Sequence, residues 1–385
     1  MPNYDYIIIG AGAAGLLLAS AFGKDDFFSS KSILIIDKDD KTKNDRTWCF
    51  WEKGSGKFDE LIYRKWPSIF FAGKKLALST SLHPYSYKML RGIDFYNQYV
   101  REVKNSVNVT WLHDKVIDIQ ENENDVTVIT ETESHTGGKV FNSIFDYKQA
   151  KDQNKYPVLQ QHFIGWFVKT EKPVFKTDEA TFMDFSIPQK GNTRFMYVLP
   201  FSENEALLEY TLFSETLLEK SEYENGIIDY LENKLECPNY SILEKESGNI
   251  PMTCYEFHQH NTNRVLHIGI AGGWAKPSTG FTFYNTNKNV DALIHHIKKK
   301  KPLKQFAKKD KFWFYDLLLL DILYKKNHLG QPIFESLFKR RKAPLILKFL
   351  DNETSFWEDI KIMSAPKPIP FIKALLGRVF KPFVS

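Results

Sequence analysis

The chain has 385 residues, is 43% hydrophobic and 26% charged, and carries a formal net charge of +5. This is ordinary for a folded protein of one large or two intergrown domains, and it excludes a disordered or low-complexity chain. Cys49, Cys237 and Cys254 form no CxxC pair, which excludes a disulfide framework and fits a reducing cytoplasm.

Residues 4–9 (YDYIII) read as a buried strand, 13–23 as a helix and 33–37 (ILIID) as a second buried strand. This βαβ start implies a parallel sheet. No basic stretch precedes it, so it is read as structure and not as a signal peptide. The first turn is G-x-G-x-x-G, with Gly10, Gly12 and Gly15, and Ala14 just before the last glycine. Gly10 permits the tight turn, Gly12 lets the backbone approach a pyrophosphate, and Gly15 allows close helix-to-strand contact. Asp37 ends the second strand, where an acid can bond both ribose hydroxyls. Strand, glycines, helix, strand and acid, in that order, predict a dinucleotide fold.

Short alternating runs from about 66 to 131 surround a predicted helix over 87–103, and strands dominate 162–213. Within "ALLEYTLF" (206–213), period-2 alternation puts Leu207, Glu209 and Thr211 on one face and Leu208, Tyr210 and Leu212 on the other. One acid therefore sits in an otherwise apolar strand. A polar helix at 215–236 and strands near 240–251 and 264–270 follow.

The segment "VLHIGIAGGWAKPSTGFTF" (265–283) is a second Gly-rich strand-to-helix passage. A strand ending at Ile270 would deliver the Gly272-Gly273 turn to an isoalloxazine. A helix starting near Gly280 would aim its positive end at the electron-rich edge of that ring. An N-terminal fingerprint closed late in the chain in this way favours FAD over NAD.

The predicted class is α/β: a Rossmann-like FAD-binding domain of flavin-monooxygenase-like architecture, with an inserted antiparallel substrate sheet and a helical C-terminal region. Its parts are 1–150 and 256–300 for the FAD-binding domain, 151–255 for the sheet and 301–385 for the helices.

Residues 298–385 hold 20 Lys and Arg against 8 Asp and Glu, interleaved with aromatics. Such a region suits an anionic lipid surface, a nucleic acid, or simply solvent. Its richest apolar run, "FWFYDLLLLDIL" (312–323), contains Asp316 and Asp321 and falls short of the roughly 20 residues needed to cross a bilayer. His258, His260, His295 and His296 lack metal-site spacing and are assigned to loop and surface, with no metal expected.

Eight pieces in order, "IIIGAGAAGL", "DRTWCFW" (45–51), "FIGWFV" (163–168), "FMDF" (182–185), "YVLPFS" (197–202), "LLEYT" (207–211), "ESGNIPM" (246–252) and "GGWAKPSTGF" (272–281), make the chain resemble the bacterial lycopene β-cyclases nearly end to end. The resemblance implies FAD held by Gly10, Gly12, Gly15 and Asp37; Ala14, Arg46, Gly272, Gly273 and Gly280 are expected to border it as well. Glu209 is then the acid of the L-x-E-x-T stretch, and Asp184 stands at the Met-Asp position.

The implied reaction is an isomerisation (intramolecular lyase) that closes the ψ ends of lycopene to β rings. It needs reduced FAD, with NADPH as electron donor. Lycopene and other acyclic carotenoids are the expected partners, with no nucleic acid. The expected place is cytoplasmic, peripheral to the inner face of the cell membrane. An alkene is a feeble base, so its proton donor must be buried, and burial raises a carboxyl pKa.

The late strand reads Gly269-Ile270 where aromatic hydroxylases have Gly-Asp, and "FDYKQA" (145–150) replaces an Asp-Gly-Arg segment of many cyclases. The rival readings are an FAD-dependent monooxygenase or reductase acting on a hydrophobic isoprenoid, and a membrane-associated flavin carrier.

Overall fold

Strand Asn3–Ile9 is apolar on both sides because both sides are covered: Tyr6 and Ile8 pack toward helices, Ile7 and Ile9 toward the opposite layer. The computed structural model describes residues 3–306 and 309–380. In it, Asn3–Ile9 pairs in parallel with Ile33–Asp37 and Ser134–Asn142, matching Ile7 to Leu34 and to Val140. Val109–His113 extends the parallel part, and Val126–Thr130 and Val116–Glu121 add antiparallel strands at the other edge. Helices Ala13–Lys24, Gly92–Lys104 and Phe283–Lys298 cover one face. The short strand Val265–His267 joins Ser134–Asn142 in parallel, so the late passage enters the same sheet as the fingerprint.

The second sheet runs in the order Tyr240–Thr253, Val158–Thr170, Glu205–Ser214, Thr193–Pro200, Glu179–Asp184, Ser68–Ala72, Ala77–Ser81. The first five pair antiparallel with one another, whereas Ser68–Ala72 pairs in parallel with Glu179–Asp184. The sheet thus recruits two strands from upstream. Helix Lys220–Asp229 and the turn Tyr230–Lys234 cover one face, with Leu208, Tyr210 and Leu212 beneath them. The other face turns Leu207 and Phe213 toward C-terminal helices that bring Leu320, Phe334, Phe338 and Ile346 into the same core.

Those helices are Lys311–Lys325, Gly330–Arg340, Ala343–Leu350, Phe356–Met363 and Pro368–Val379. Among the described residues, no helix is long and apolar enough to cross a membrane.

Three elements differ from the sequence reading. The helix predicted over 87–103 starts at Gly92, and Tyr85–Arg91 is a strand. There Tyr87 and Met89 enter the core two residues apart, while Lys88 turns away to Glu52 and Asp59, 2.8 and 2.6 Å off. An apolar strand running into an amphipathic helix mimicked one longer helical period. The strand predicted to reach Ile270 stops at His267, because Gly269 adopts φ +62° and opens a turn over Gly269–Gly272; the next helix begins at Phe283. The polar helix of 215–236 narrows to Lys220–Asp229 and its continuation Tyr230–Lys234.

Candidate active site

At the Gly-rich turn, a Cβ on Gly15 would stand 1.8 Å from the Gly10 carbonyl oxygen, so the helix can close on the turn only with glycine there. A Cβ on Gly12 would meet nothing within 4 Å, which leaves open space before the N-terminus of Ala13–Lys24. Asp37 is held at the lip of this space. Its Oδ2 accepts from the Ala11 N–H at 2.5 Å and lies 3.2 Å from Lys41 Nζ.

The late passage packs against the same turn, with Ala14 Cβ 3.0 Å from where a Cβ on Gly269 would be. Gly272 closes on the His267 carbonyl, and Gly273 and Gly280 adopt φ of +71° and +70°. The structure therefore gathers Gly10, Gly12, Ala14, Gly15 and Asp37 at one place and continues the wall through Gly272 and Gly273.

A cavity of about 760 Å³ extends from Thr279–Phe283 across the second sheet. Its floor is Gln161, Phe163, Tyr197, Glu209, Thr211 and Glu246; residues 45–49 form one side; Phe334, Phe338, Ile346 and Leu350 close it from the C-terminal helices. This is the size and character of a ligand site, mostly apolar with a few convergent polar groups. Gly280 lies on its wall, and Arg46 lies at its rim, with a half-exposed guanidinium that donates to the Asp45 carbonyl at 2.6 Å.

Gln161 Oε1, Thr211 Oγ1 and Thr279 Oγ1 are buried here and have no hydrogen-bond partner among the described residues. Orphaned polar atoms are rare in folded interiors and call for a bound group. The open cradle at Gly12 and the orphans beside the late passage fit a dinucleotide with a flat, polar-edged ring.

Glu209 is 7% exposed. The alternation expected for its strand is present: Glu209, Thr211 and Phe213 line the cavity while Tyr210 and Leu212 lie in the opposite core. Burial pushes the Glu209 carboxyl well above the usual range, and repulsion from Glu246 adds to it. Glu246 is also pushed up by burial, opposed by the hydrogen bond that Thr47 Oγ1 donates to its Oε2 at 2.8 Å. Around them, Tyr87 and Tyr197 share a hydroxyl contact of 2.6 Å, and burial pushes both phenols and the Cys49 thiol up, so all three stay neutral.

Asp184 is elsewhere. It is wholly buried, its Oδ2 accepting from Tyr230 Oη and its Oδ1 from the Ser186 N–H, each at 2.8 Å. Phe182 and Met183 line the cavity and Asp184 does not. His258 and His260 sit in the turn Phe257–His260, and His295 and His296 on helix Phe283–Lys298. Among the described residues, no group of three or more His, Cys, Asp or Glu is placed to hold a metal.

Sequence reasoning missed Glu246, Gly165, Thr47, Cys49, Tyr87 and Tyr197. Each of these except Tyr87 lies in a stretch that carried the family resemblance, but their meeting depends on strand register.

The sequence model described as "Lycopene cyclase protein" matches residues 5–376. The chain is 21% identical over 400 residues to a lycopene beta-cyclase of Pantoea ananas, covering 97% of each protein. Among solved structures, it resembles a geranylgeranyl bacteriochlorophyll reductase-like protein from Thermoplasma acidophilum, with TM-score 0.60 and 12% identity, over 99% of this chain and 100% of that one. It also resembles a flavoprotein/dehydrogenase from Cytophaga hutchinsonii, with TM-score 0.60 and 13% identity, over 98% and 99% of the two chains. The fold is that of these flavoproteins.

Proposed function

We propose that this chain, which belongs to the lycopene cyclase family, closes the ψ end groups of lycopene to β rings, giving β-carotene. It would act as an isomerase (intramolecular lyase) with no net redox change. The observation that carries the reading is Glu209, an acid raised by burial on the wall of a largely apolar cavity that adjoins a dinucleotide cradle.

Glu209 protonates the terminal alkene, giving a tertiary cation. The neighbouring double bond attacks it, and loss of one proton completes the ring, so the proton gained equals the proton lost. The carboxylate left behind faces the cation. Phe163, Phe195, Phe281 and Phe338 line the cavity, exclude water that would capture the cation, and present π faces to it.

Gly10, Gly12, Ala14, Gly15 and Asp37 would hold the dinucleotide part of FAD, with Arg46, Gly272, Gly273 and Gly280 bordering its ring end. When bound in its reduced form, with NADPH as donor, the flavin supplies negative charge beside the site. Asp184 acts on this reading through Tyr230, fixing the strand end that presents Phe182 and Met183.

Lycopene is a membrane solute, so the protein docks peripherally at the inner face of the membrane. Exposed Phe356, Trp357, Ile369, Ile372 and Val379 on two helices in the basic region, with Phe380 just after the second, support this. Helix Ala343–Leu350 packs against Phe356–Met363 and contributes Ile346 and Leu350 to the cavity, so surface and site adjoin.

Expression in a lycopene-accumulating bacterium tests the reading. Wild type should yield β-carotene and Glu209→Gln should leave lycopene. Lycopene unchanged in both would overturn it, and NADPH consumed mole for mole with product would favour a monooxygenase or reductase.

A further inference from the structure

Glu209 and Glu246 are on strands that do not touch. Val158–Thr170 runs between Glu205–Ser214 and Tyr240–Thr253, and its Gly165 is the direct partner of both acids. Strands spaced about 4.8 Å apart put such residues on one face, near 10 Å from Cα to Cα, with the middle side chain normally standing between them. Gly165 has none. A Cβ there would stand 3.0 Å from Glu209 Cγ and 3.1 Å from Glu246 Cγ, so the two Cγ atoms are at most 6.1 Å apart. The two acids meet over the gap.

Glu246 is anchored from a third element. Thr47 Oγ1 donates to its Oε2 at 2.8 Å, its Oε1 is shielded from solvent, and the Glu246 and Glu209 carboxyls are themselves in hydrogen-bond contact. We propose that Glu246 is the proton-sharing partner of Glu209, a positioning residue that keeps one proton on the pair and helps reclaim it at the end of the reaction. The chemistry rests on the cyclase reading; the pairing does not.

Two carboxyls this close do not both ionise cheaply, so they titrate as a unit that retains one proton. The other groups facing them are Thr47, Cys49, Tyr87 and Tyr197, all neutral, with the Glu244 carboxylate and the rim guanidinium of Arg46 farther out. Burial raises both carboxyls; the Glu246 charge pushes Glu209 up further, while the hydrogen bond from Glu209 draws Glu246 down.

When Glu209 donates, its O–H bond breaks, a C–H bond forms at the alkene, and the pair passes from one negative charge to two. Ring closure moves the cation to the carbon next to the departing proton. That C–H bond then breaks, an O–H bond re-forms on the doubly charged pair, and the pair returns to one negative charge. No external acid or base enters. A raised pKa makes Glu209 a weaker donor, but the second charge exposed by donation stabilises the cation and makes the pair a strong base for the closing step.

The test uses full-length flavin-loaded enzyme, comparing wild type with Glu246→Gln, Glu246→Asp and Gly165→Ala. Glu209 works protonated, and removing its charged neighbour lowers its pKa. The alkaline limb of the pH–rate profile should therefore move to lower pH by about one unit or more in Glu246→Gln, and stay near its wild-type place in Glu246→Asp. Gly165→Ala, which forces the acids apart, should shift it as Gln does.

Infrared difference spectra, read without substrate, should show a protonated-carboxyl band above neutral pH in wild type that titrates away at lower pH in Glu246→Gln. A limb and band unmoved by Glu246→Gln would overturn the pairing while leaving the cyclase reading intact. A band that moves as expected in a protein that never cyclises lycopene would uphold the pairing and overturn that reading.

Discussion

Lys276 Nζ lies 3.0 Å from Asp316 Oδ2, and both side chains are almost wholly buried. Ser278 Oγ donates to Asp316 Oδ1 at 2.7 Å, and Lys276 also donates to Asn352 Oδ1 at 2.8 Å. The contact ties the Gly-rich passage to helix Lys311–Lys325. Removing one partner of a buried pair strands the other charge, so Lys276→Met should destabilise the fold by about 3–5 kcal/mol. Lys276→Met with Asp316→Leu leaves no stranded charge and should cost markedly less. Urea denaturation midpoints check this; a double variant as weak as the single one would contradict it.

Gly12 and Gly15 should fail in different ways. At Gly15 a methyl would collide with backbone, so Gly15→Ala should lower the stability of the apoprotein as well as its flavin content. At Gly12 the methyl meets no protein atom, so Gly12→Ala should fold like wild type. It should nonetheless lose about tenfold or more in FAD affinity, about 1.4 kcal/mol, because it occupies the space in front of the helix. Flavin absorbance per chain and apoprotein melting curves separate the two.

The Gly-rich turn and the acid beside it were legible in the sequence because their information is local: Gly10 to Asp37 belong to one unbroken βαβ unit, and spacing alone places the glycines. The buried face of Glu209 was legible for a similar reason, since period 2 operates within a single strand. Glu246 was not legible as its neighbour. Their proximity depends on both acids pairing with Gly165, a register fixed by three strands far apart in sequence. The recruitment of Ser68–Ala72 and Ala77–Ser81 into the second sheet was hidden likewise, because nothing in those ten residues says which edge they join. Asp184 shows the converse. Its place in "FMDF" marked it as special, but a bulge in that strand turns it to Tyr230 and away from the cavity.

His162 should make stability depend on pH. It is buried, with Nδ1 2.6 Å from Tyr223 Oη and Nε2 2.7 Å from Ser214 Oγ. Burial, and then the nearby Arg194 charge, pushes its pKa down to about 4. Unfolded, the ring titrates near 6.5. Between those values the unfolded chain binds the extra proton, so stability is present above about 6.5 and lost as pH falls toward 4, by up to about 3 kcal/mol. His162→Gln should flatten the difference between urea midpoints measured at neutral pH and at about pH 4. A slope equal to that of wild type would show that other groups carry it.

The exposed C-terminal residues give the last prediction. Trp357 is 76% exposed, Ile369 and Val379 62% each, and Phe356 61%, on helices whose inner faces hold Ile362 and Ala374 in the core, and Phe380, capping the second helix, is 75% exposed. Large side chains concentrated like this on two short helices need a cover. Burying one in lipid contributes about 1.5–3 kcal/mol, so Phe356→Ser with Trp357→Ser should weaken partition into anionic vesicles by more than about tenfold. Added salt should weaken wild-type binding further, through screening of the basic residues beside them. Neither residue lines the cavity, so with lycopene dispersed in detergent the double variant should turn over at the wild-type rate, while on vesicle-borne lycopene it should be slow. Loss in both settings would mean that the pair supports the fold, and loss in neither would mean that another surface meets the membrane. Loss confined to vesicles would assign the two helices to docking.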